Sequence, residues 1–574
     1  MRGIQRVWGA VGRCSVEEPR WLMVLVLVLG FVRFPSCAPG QAAPQPAAVA
    51  KRDGKQYKIA GQVTNSITGE PIARATLILL TGQPRQMVQT VATDANGQFD
   101  MGTLPAGKYS LRASRRGYMT SYFDEHEQYS SAIVTGEDQD TEHIPFHMNP
   151  SSVIRGVVTD DAGEPVSQAE VLLMRRTKNG GLGEHLVQSI QNTTDDTGLF
   201  EFWNLVPGTY FLAVKADPWY ALHPTESEQR EISNDQQREA MKSLDVAFQV
   251  TYFGDVLDES AAQPISITSG DHVQADVVLH AVPAVHMTLP ASASVANQDG
   301  FAARPSLTQT VFGVQLSSVF PEMESGSPGG GLMEFSGIAP GHYSVSQGTP
   351  PRVTEVDAMG SQQVDLSTGV PTFGLDMKIE MADGSAPPQS LQIVLASENP
   401  VLRQIIGSVT DKQDVHFESV PAGKWNALVS SKGVSLAVVS LQTGTVAVAD
   451  SRFVVKDRRL TMTAELAQGK TGIEGLAKKD GKGEAGIMVV LVPRNPGANL
   501  DEFRRDQSDS DGSFLLRDVV PGEYTIVAIE DGWGLDWARP GVISHYVGDG
   551  TPVTVQANPG ASLRLSSQVL VQAR

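Results

Sequence analysis

A short pattern recurs five times along this chain of 574 residues. Each copy has an apolar residue and, ten positions later, an aromatic residue that follows a Pro-Gly or Pro-Ala-Gly turn. The five pairs are Phe99 and Tyr109, Phe200 and Tyr210, Met333 and Tyr343, Val415 and Trp425, and Phe514 and Tyr524. Self-similarity at a fixed offset is typical of a chain built from repeated structural units.

The residues within each copy predict two strands joined by a tight turn. An Asp-x-x-Gly turn precedes the apolar residue in copies one, two and five, and glycine supplies the positive φ that a tight hairpin needs. Apolar and polar residues then alternate, as in Phe200 and Phe202, which is typical of a half-buried strand. About seven short strands per hundred residues favour antiparallel β-sandwiches over a βαβ fold. We therefore predict an all-β chain of tandem antiparallel sandwiches, prealbumin-like or immunoglobulin-like, after an N-terminal signal segment.

The copies divide the chain into seven predicted segments. They are a signal peptide at 1–38, an Ala/Pro-rich linker at 39–56, sandwich 1 at 57–149, sandwich 2 at 150–282 with a polar helical insert at 226–245, degenerate sandwiches 3 and 4 at 283–370 and 371–468, and sandwich 5 at 469–574. The charges of the insert spread around the whole helix, which predicts a solvated surface helix.

The N-terminal segment predicts export to the periplasm, the cell surface or the medium. Twelve apolar residues, Trp21–Val32, follow four arginines, and a helix of that length is too short to span a bilayer. Cys14 and Cys37 are the only cysteines, so a chain cut after Ala38 has no disulfide. The residues before Cys37 loosely match a bacterial lipobox, which makes Cys37 a candidate lipidation site.

Copies one, two and five resemble the carboxypeptidase regulatory-like domain, a prealbumin-like sandwich of the carbohydrate-binding-like fold. In copy two, the resemblance rests on Ile154-x-Gly-x-Val158, Pro165-Val-x-x-Ala169, Thr194-Asp-x-x-Gly198-x-Phe200 and Leu205-x-Pro-Gly-x-Tyr210. The resemblance implies an accessory module of the kind that accompanies peptidases, polysaccharide-active enzymes, adhesins and outer-membrane receptors.

The motifs of several enzyme classes and of metal sites are missing from the sequence. It has no HExxH, no G-x-S-x-G and no P-loop, and the repeats leave no room for a separate catalytic domain. His143 and His147 lie four apart in a predicted strand, too far apart for one tetrahedral metal. The turn at Gln507–Gly512 imitates part of a calcium loop, but we interpret it as a solvated hairpin turn. We predict a non-catalytic protein without metal or cofactor. A net charge of −19 without a basic stripe argues against nucleic-acid binding.

Aromatic residues are the best candidates for ligand contact. Tyr118, Trp219 and Trp533 each follow the repeat tyrosine by nine positions, and Tyr220, Asp531, Asp536 and Trp537 lie near them. Such rings can stack on sugars while carboxylates accept hydrogen bonds from hydroxyls; alternatively, they close the open edge of each sandwich. Trp533 and Trp537 are expected to be the best exposed. The predicted function is binding or adhesion, with a glycan or a cell-envelope protein as the partner. The alternative is a structural spacer or accessory protein without a small ligand.

Overall fold

The computed structural model describes residues 55–574 apart from 83, 178–184, 291–304, 317–318, 320, 324–331, 348–351, 367–368, 398–403, 445, 449–450, 498 and 557–561. The predicted signal peptide, Cys37 and all but the last two residues of the predicted linker lie outside these residues. The fold is all-β and consists of successive two-layer units, which confirms the predicted class. No described helix combines the length and the apolar character needed to cross a membrane.

Sandwiches 1 and 2 each pair two sheets. Sandwich 1 contains β1 Tyr57–Asn65, β2 Thr76–Thr81, β3 Gln86–Ala92, β4 Gln98–Leu104, β5 Gly107–Ser114, β6 Ser121–Tyr122, β7 Glu125–His126, β8 Tyr129–Ser130, β9 Ile133–Thr135 and β10 Ile144–Met148. Sandwich 2 contains β11 Ser152–Asp160, β12 Glu170–Thr177, β13 His185–Thr193, β14 Leu199–Leu205, β15 Gly208–Lys215, α1 Glu226–Glu231, α2 Asp235–Ser243, β16 Val246–Phe248, β17 Thr251–Tyr252, β18 Ile265–Ile267, β19 His272–Gln274, β20 Val277–Leu279 and β21 Ala281–Pro283.

Sandwiches 3 and 4 are built on the same plan. Sandwich 3 contains β22 Val285–Pro290, β23 Ser306–Thr308, β24 Thr310–Val311, β25 Val314–Gln315, β26 Glu322–Met323, β27 Leu332–Ile338, β28 Gly341–Gln347, β29 Arg352–Ala358 and β30 Gln362–Gln363. Sandwich 4 contains β31 Thr372–Met381, β32 Gln392–Ser397, β33 Ile405–Ser408, β34 Asp414–Pro421, β35 Gly423–Ser430, β36 Leu436–Thr443, β37 Val446–Val448, β38 Arg452–Val455 and β39 Leu460–Gln468.

Sandwich 5 differs because β48 pairs with both layers and joins them into one nine-stranded sheet. Its elements are β40 Thr471–Lys479, β41 Lys482–Gly483, β42 Met488–Pro493, β43 Arg504–Gln507, β44 Ser513–Val519, β45 Gly522–Ile529, α3 Pro540–Val547, β46 Thr551–Val555, β47 Leu563–Arg564 and β48 Val569–Gln572. A separate buried cluster on the outer face of β42 and β45 packs against α3.

At least one pairing in every sandwich departs from the predicted antiparallel pattern. The first strand of each unit pairs in parallel with a closing strand, as β1 does with β10 and β31 with β39. The same pairing recurs in sandwiches 2, 3 and 5. The closing strand follows a crossover from the opposite sheet and so enters in the direction of the first strand. Composition and alternation carry no information about that direction.

The repeat aromatic has a structural role that explains its recurrence. In all five copies its ring is buried, and its polar tip donates a hydrogen bond to the carbonyl four residues earlier. These bonds are Tyr109 to Pro105 (2.9 Å), Tyr210 to Val206 (2.7 Å), Tyr343 to Ala339 (2.8 Å), Trp425 to Pro421 (2.9 Å) and Tyr524 to Val520 (2.8 Å). A buried ring with a satisfied donor fixes the Pro-Gly turn to the core. In copy four, the indole N–H of Trp425 makes the bond that the tyrosine hydroxyl makes in the other copies.

The polar insert forms two short helices instead of the single predicted one. Thr225 and Glu228 form a capping box at the start of α1, and Asn234 caps α2. The extended residues between Glu231 and Asp235 interrupt the helix, because Asn234 accepts the first N–H groups of α2 in a cap conformation. None of the residues of α2 is buried, in agreement with a solvated surface helix.

Candidate functional site

The predicted aromatic site of sandwich 5 lies against sandwich 1. The short β7–β8 hairpin of sandwich 1 packs on the loop that carries Trp533, and the Trp533 ring stacks on His126 with centroids 5.2 Å apart. Tyr129 lies 5.6 Å from the same ring, and the indole N–H donates to the carbonyl of Gly486 at 3.1 Å. We call this contact, between residues 124–134 and Gly486, residues 505–510 and Trp533, the 1–5 interface.

Arg505 lies at the centre of the aromatic part of this interface. Its guanidinium is 4.2 Å from the Trp537 centroid, 5.1 Å from Tyr129 and 5.7 Å from Trp533. Its side chain is 7% exposed and forms a 2.7 Å ion pair with Glu127. Cation–π attraction strengthens when the cation is removed from water, so these rings stabilise a buried charge between two sandwiches.

Hydrogen bonds continue the 1–5 interface beyond the rings. The Ser131 hydroxyl donates to the carbonyl of Ser508, and the amide of Gln507 donates to the hydroxyl of Ser131 and to the carbonyl of Asp124. Gln507 is 1% exposed and Ser508 is fully buried. The interpretation of this turn as a solvated hairpin turn is therefore wrong for its first residues.

The aspartate of the fifth turn also has a different role from its counterparts. In copies one and two, Asp94 and Asp195 accept backbone N–H bonds from their own turns. Asp509 instead accepts from the amide of Ala132 at 2.8 Å and pairs with Lys108 at 2.6 Å, and both partners belong to sandwich 1. Among the described residues, no group of three or more His, Cys, Asp or Glu is arranged to hold a metal.

Trp533 and Trp537 are not the most exposed of the predicted aromatics, which corrects that expectation. Both are part-buried against the cluster under α3, whereas Trp219 is 82% exposed. The flanking glycines suggested an open loop around Trp533, but the ring turns toward the β7–β8 hairpin. The residues that cover Trp533 lie about 400 positions earlier in the chain, so the sequence around Trp533 does not reveal them.

The remaining predicted residues are scattered. Tyr118 packs on the core of sandwich 1, and its hydroxyl accepts a bond from Asn65 at 3.3 Å. Asp531 is exposed at the start of a turn with positive φ, and Asp536 is 9% exposed. The structure brings Trp533 and Trp537 together around Arg505 and leaves Trp219 and Tyr220 on another sandwich.

Trp219 and Tyr220 form an aromatic pair at the surface of sandwich 2, which we call the Trp219 platform. The two rings meet edge to face with centroids 5.7 Å apart. Partial burial, together with the charges of Asp161, Asp160 and Glu164, raises the pKa of the Tyr220 hydroxyl. The carboxylates of the β11–β12 turn therefore lie close to the platform, and two of them, Asp161 and Glu164, are exposed.

A buried ionic cluster that the sequence analysis did not identify joins sandwiches 2 and 3. The two ring nitrogens of His286 each lie 2.6 Å from a carboxylate, Nδ1 from Glu334 and Nε2 from Asp245. Asp245 follows α2 in sandwich 2, whereas Glu334 lies on β27 of sandwich 3. His286 is 6% exposed, Glu334 3% and Asp245 8%. Because neither carboxylate can donate, both ring nitrogens carry a proton, and the imidazole is a cation.

Further contacts complete this cluster, which we call the 2–3 joint. The backbone N–H of Glu226, at the start of α1, donates to both oxygens of Glu334, and His223 lies 3.3 Å from Asp245. Hydrogen bonding to Glu334, reinforced by Asp245 and opposed by burial, raises the pKa of His286 from 6.5 to about 9. Phe312 of sandwich 3 also packs on Phe211 and Tyr252 of sandwich 2. Glu334 lies between Met333 and Phe335 on β27, and strand alternation predicts that such a residue faces solvent. Its burial was therefore not predicted from the sequence.

Residues 58–147 match the family model described as the carboxypeptidase regulatory-like domain. This match confirms the resemblance for sandwich 1, and the matched domain is a regulatory-like one and not a catalytic one. No curated protein matches the chain.

Three solved structures illustrate what the chain is similar to. The TIE protein of Bacillus anthracis is 10% identical over 72% of this chain and 75% of that one, with a TM-score of 0.16. The shaft pilin SpaA of Lactobacillus rhamnosus GG is 11% identical over 40% and 98%, with a TM-score of 0.18. BcpA, the major pilin subunit of Bacillus cereus, is 10% identical over 72% and 99%, with a TM-score of 0.13. These identities and TM-scores are too low to support a conclusion about function.

Proposed function

We propose that this protein is an exported, non-catalytic binding protein that recognises carbohydrate at the Trp219 platform. The observation that carries the proposal is the 82% exposure of Trp219 beside Tyr220. A solvent-facing indole is unfavourable in water, whereas its face can stack on the apolar side of a sugar ring.

The surroundings of the platform support a sugar more than an apolar ligand. Asp161 and Glu164 are exposed next to Tyr220, and carboxylates are good acceptors for sugar hydroxyls. Trp203 offers an internal contrast, because it is 68% exposed on β14 and has no aromatic neighbour among the described residues.

Affinity electrophoresis tests this proposal. The protein is run through gels that contain a panel of neutral polysaccharides, and we expect at least one of them to retard it. Trp219→Ala should abolish the retardation, and Trp203→Ala should leave it intact. Retardation that survives Trp219→Ala places the binding elsewhere, and loss with both variants points to a general effect of surface tryptophans.

A structural or accessory role in the cell envelope is the second candidate, and the 1–5 interface favours it. A spacer needs rigid contacts between its domains more than an open site. The predicted site residue Trp533 contacts sandwich 1 directly, and Trp537 packs on Arg505 behind it. This candidate requires that no polysaccharide retards the wild-type chain. Capture of a defined envelope protein that depends on the 1–5 interface would support it.

Export and anchoring belong to the same proposal. The apolar stretch Trp21–Val32 supports export, and Cys37 is the proposed lipidation site. Intact mass of the protein recovered from the host envelope should show cleavage after Ala38, or before Cys37 if that cysteine is acylated. An added acyl mass that disappears in Cys37→Ala would establish the anchor, and an uncleaved chain would contradict the signal peptide.

A further inference from the structure

A wide cleft runs between sandwiches 1 and 5 beside their interface. Its volume is about 1360 Å³, and it is lined by Lys108 and Tyr129 from sandwich 1 and by Arg505 and Trp537 from sandwich 5. Ser435 of sandwich 4 closes one side. Ligand sites occur preferentially at such junctions between domains.

The lining of the cleft carries a slight excess of positive charge in an acidic chain. Its lining contains six cationic side chains: Arg85, Lys108, Arg504, Arg505, Arg517 and Arg564. It also contains five carboxylates, but three of these are engaged locally. Asp509 pairs with Lys108, Glu474 pairs with Arg564, and Asp506 accepts the amide of Leu515. Burial raises the pKa of Asp506 to about 6, so this carboxyl becomes protonated in mildly acidic solution.

Three of the six cations form no ion pair with a carboxylate within the described part of the chain. One of them, Arg504, is already engaged by hydrogen bonds to backbone carbonyls and to the Ser435 hydroxyl, which leaves Arg85 and Arg517. Arg85 lies over the Tyr122 ring, with its guanidinium carbon 4.5 Å from the centroid, and it is exposed. Arg517 is exposed on β44, where its charge also acts on the carboxyl of Asp506. A guanidinium binds a carboxylate through two parallel hydrogen bonds, so each of these arginines is a ready anion site.

The rest of the lining favours a ligand with many hydroxyl groups. Serine hydroxyls and glutamine amides predominate among its neutral polar groups, namely Ser110, Ser130, Ser435, Ser513, Ser566, Ser567, Gln128 and Gln568. These groups both donate and accept hydrogen bonds, as sugar hydroxyls do.

We propose that the cleft between sandwiches 1 and 5 binds an acidic oligosaccharide, whose uronate carboxylates pair with Arg85 and Arg517. This site is separate from the Trp219 platform and does not depend on it. The cleft would bind charged sugars through ion pairs, whereas the platform would stack on the face of a sugar ring.

Isothermal titration with an oligogalacturonate and with its carboxyl-reduced analogue tests this site on the full chain. We expect the charged ligand to bind, with an affinity that falls as salt rises, and the reduced analogue to bind at least tenfold more weakly. Arg85→Gln with Arg517→Gln should also weaken oligogalacturonate binding at least tenfold. Arg116→Gln, an exposed arginine outside the cleft, serves as the matched control and should change nothing.

Each other outcome overturns the proposal. Equal affinity for the reduced analogue removes the role of charge, and unchanged affinity in the double variant removes the two arginines. A poly-glutamate peptide that binds as tightly as the oligogalacturonate would identify an acidic peptide site instead. Because Trp219→Ala leaves the cleft intact, it should not alter this titration, so the two binding proposals can fail separately.

Discussion

The two interfaces join sandwiches of the same fold by opposite chemistry. The 2–3 joint buries one imidazolium between two carboxylates, with net negative charge and almost no solvent. The 1–5 interface relies on stacked rings around one arginine and on hydrogen bonds from Gln507 and Ser131. Buried charge is costly when a partner is lost, whereas stacked rings fail gradually. The first interface should therefore depend sharply on one residue and on pH, and the second should tolerate single changes better.

Removal of the central cation should have the largest effect. In His286→Ala, Glu334 remains buried without a counter-charge and Asp245 keeps only the half-buried His223 beside it, which should lower the free energy of unfolding by about 3–5 kcal/mol. Chemical denaturation measures the change. His342→Ala is the matched control, because His342 also lies between two carboxylates, Glu355 and Asp357, but its side chain is 60% exposed. We expect a loss below about 1 kcal/mol there. Equal losses in the two variants would contradict the burial argument.

The pH dependence of stability should separate the two regions next. The pKa of His286 is raised to about 9 in the folded chain, so its contribution is complete below pH 6.5 and disappears as the pH rises through 9. The full contribution is about 3 kcal/mol. The pKa of Asp506, within the 1–5 interface, is raised from 3.8 to about 6, so its contribution to stability is present below pH 3.8 and is lost between pH 4 and 6.

Denaturation at a series of pH values, with His286→Gln and Asp506→Asn as controls, measures these two windows. His286→Gln should abolish the pH dependence of stability between about pH 6.5 and 9 and keep that between pH 4 and 6. Asp506→Asn should have the opposite effect. A slope between pH 7 and 9 that persists in His286→Gln would show that another group is responsible.

Loss of one ring from the 1–5 interface should cost less. Trp533→Ala removes the stacking on His126, the contact with Tyr129 and the bond to Gly486, and should lower the unfolding free energy by about 2 kcal/mol. Hydrogen exchange at residues 124–134 should rise as the hairpin separates. Trp203→Ala, with an exposed ring, should change stability by less than about 0.5 kcal/mol. Unaltered exchange in Trp533→Ala would mean that the hairpin is held by its hydrogen bonds alone.

The smallest effect belongs to the ion pair at the edge of the 1–5 interface. Lys108 is 50% exposed in its pair with Asp509, and Asp509 keeps its bond to the amide of Ala132 when the lysine is replaced. Lys108→Met should therefore cost below about 1 kcal/mol, and less still in high salt. A loss as large as that of Trp533→Ala would show that the pair, and not the rings, dominates this interface.

Most of the fold could be predicted from the sequence, because the repeat combines a turn signal with a fixed spacing between two core residues. Gly97, Gly198 and Gly512 do adopt the positive φ that the Asp-x-x-Gly turns require, and the aromatic ten positions after each apolar residue does lie in a core. The parallel direction of the closing strands was not predicted, because the alternation of apolar and polar residues in a strand does not indicate its direction. The proposed domain boundaries stay predictions.

The candidate sites were harder to predict, because their partners are distant in sequence. Trp533 is a plausible exposed residue until His126 and Tyr129 cover it, and Asp509 looks like a turn residue until it contacts Ala132. Glu334 follows the strand pattern of a solvent-facing residue, but His286 and the start of α1 bury it. When another sandwich determines the burial and the partners of a side chain, the alternation and spacing within its own sandwich do not predict them.

The bond from Ser131 to Ser508 closes a loop of 377 residues. The entropy of closing so long a loop grows only slowly with length, so docking is thermodynamically feasible, but it must wait for the last sandwich to fold. Until then, the β7–β8 hairpin of the first sandwich is uncovered, with the aromatic ring of Tyr129 and unpaired strand edges. The newly made N-terminal part of the chain is thus most vulnerable to self-association while the C-terminal part is still being synthesised.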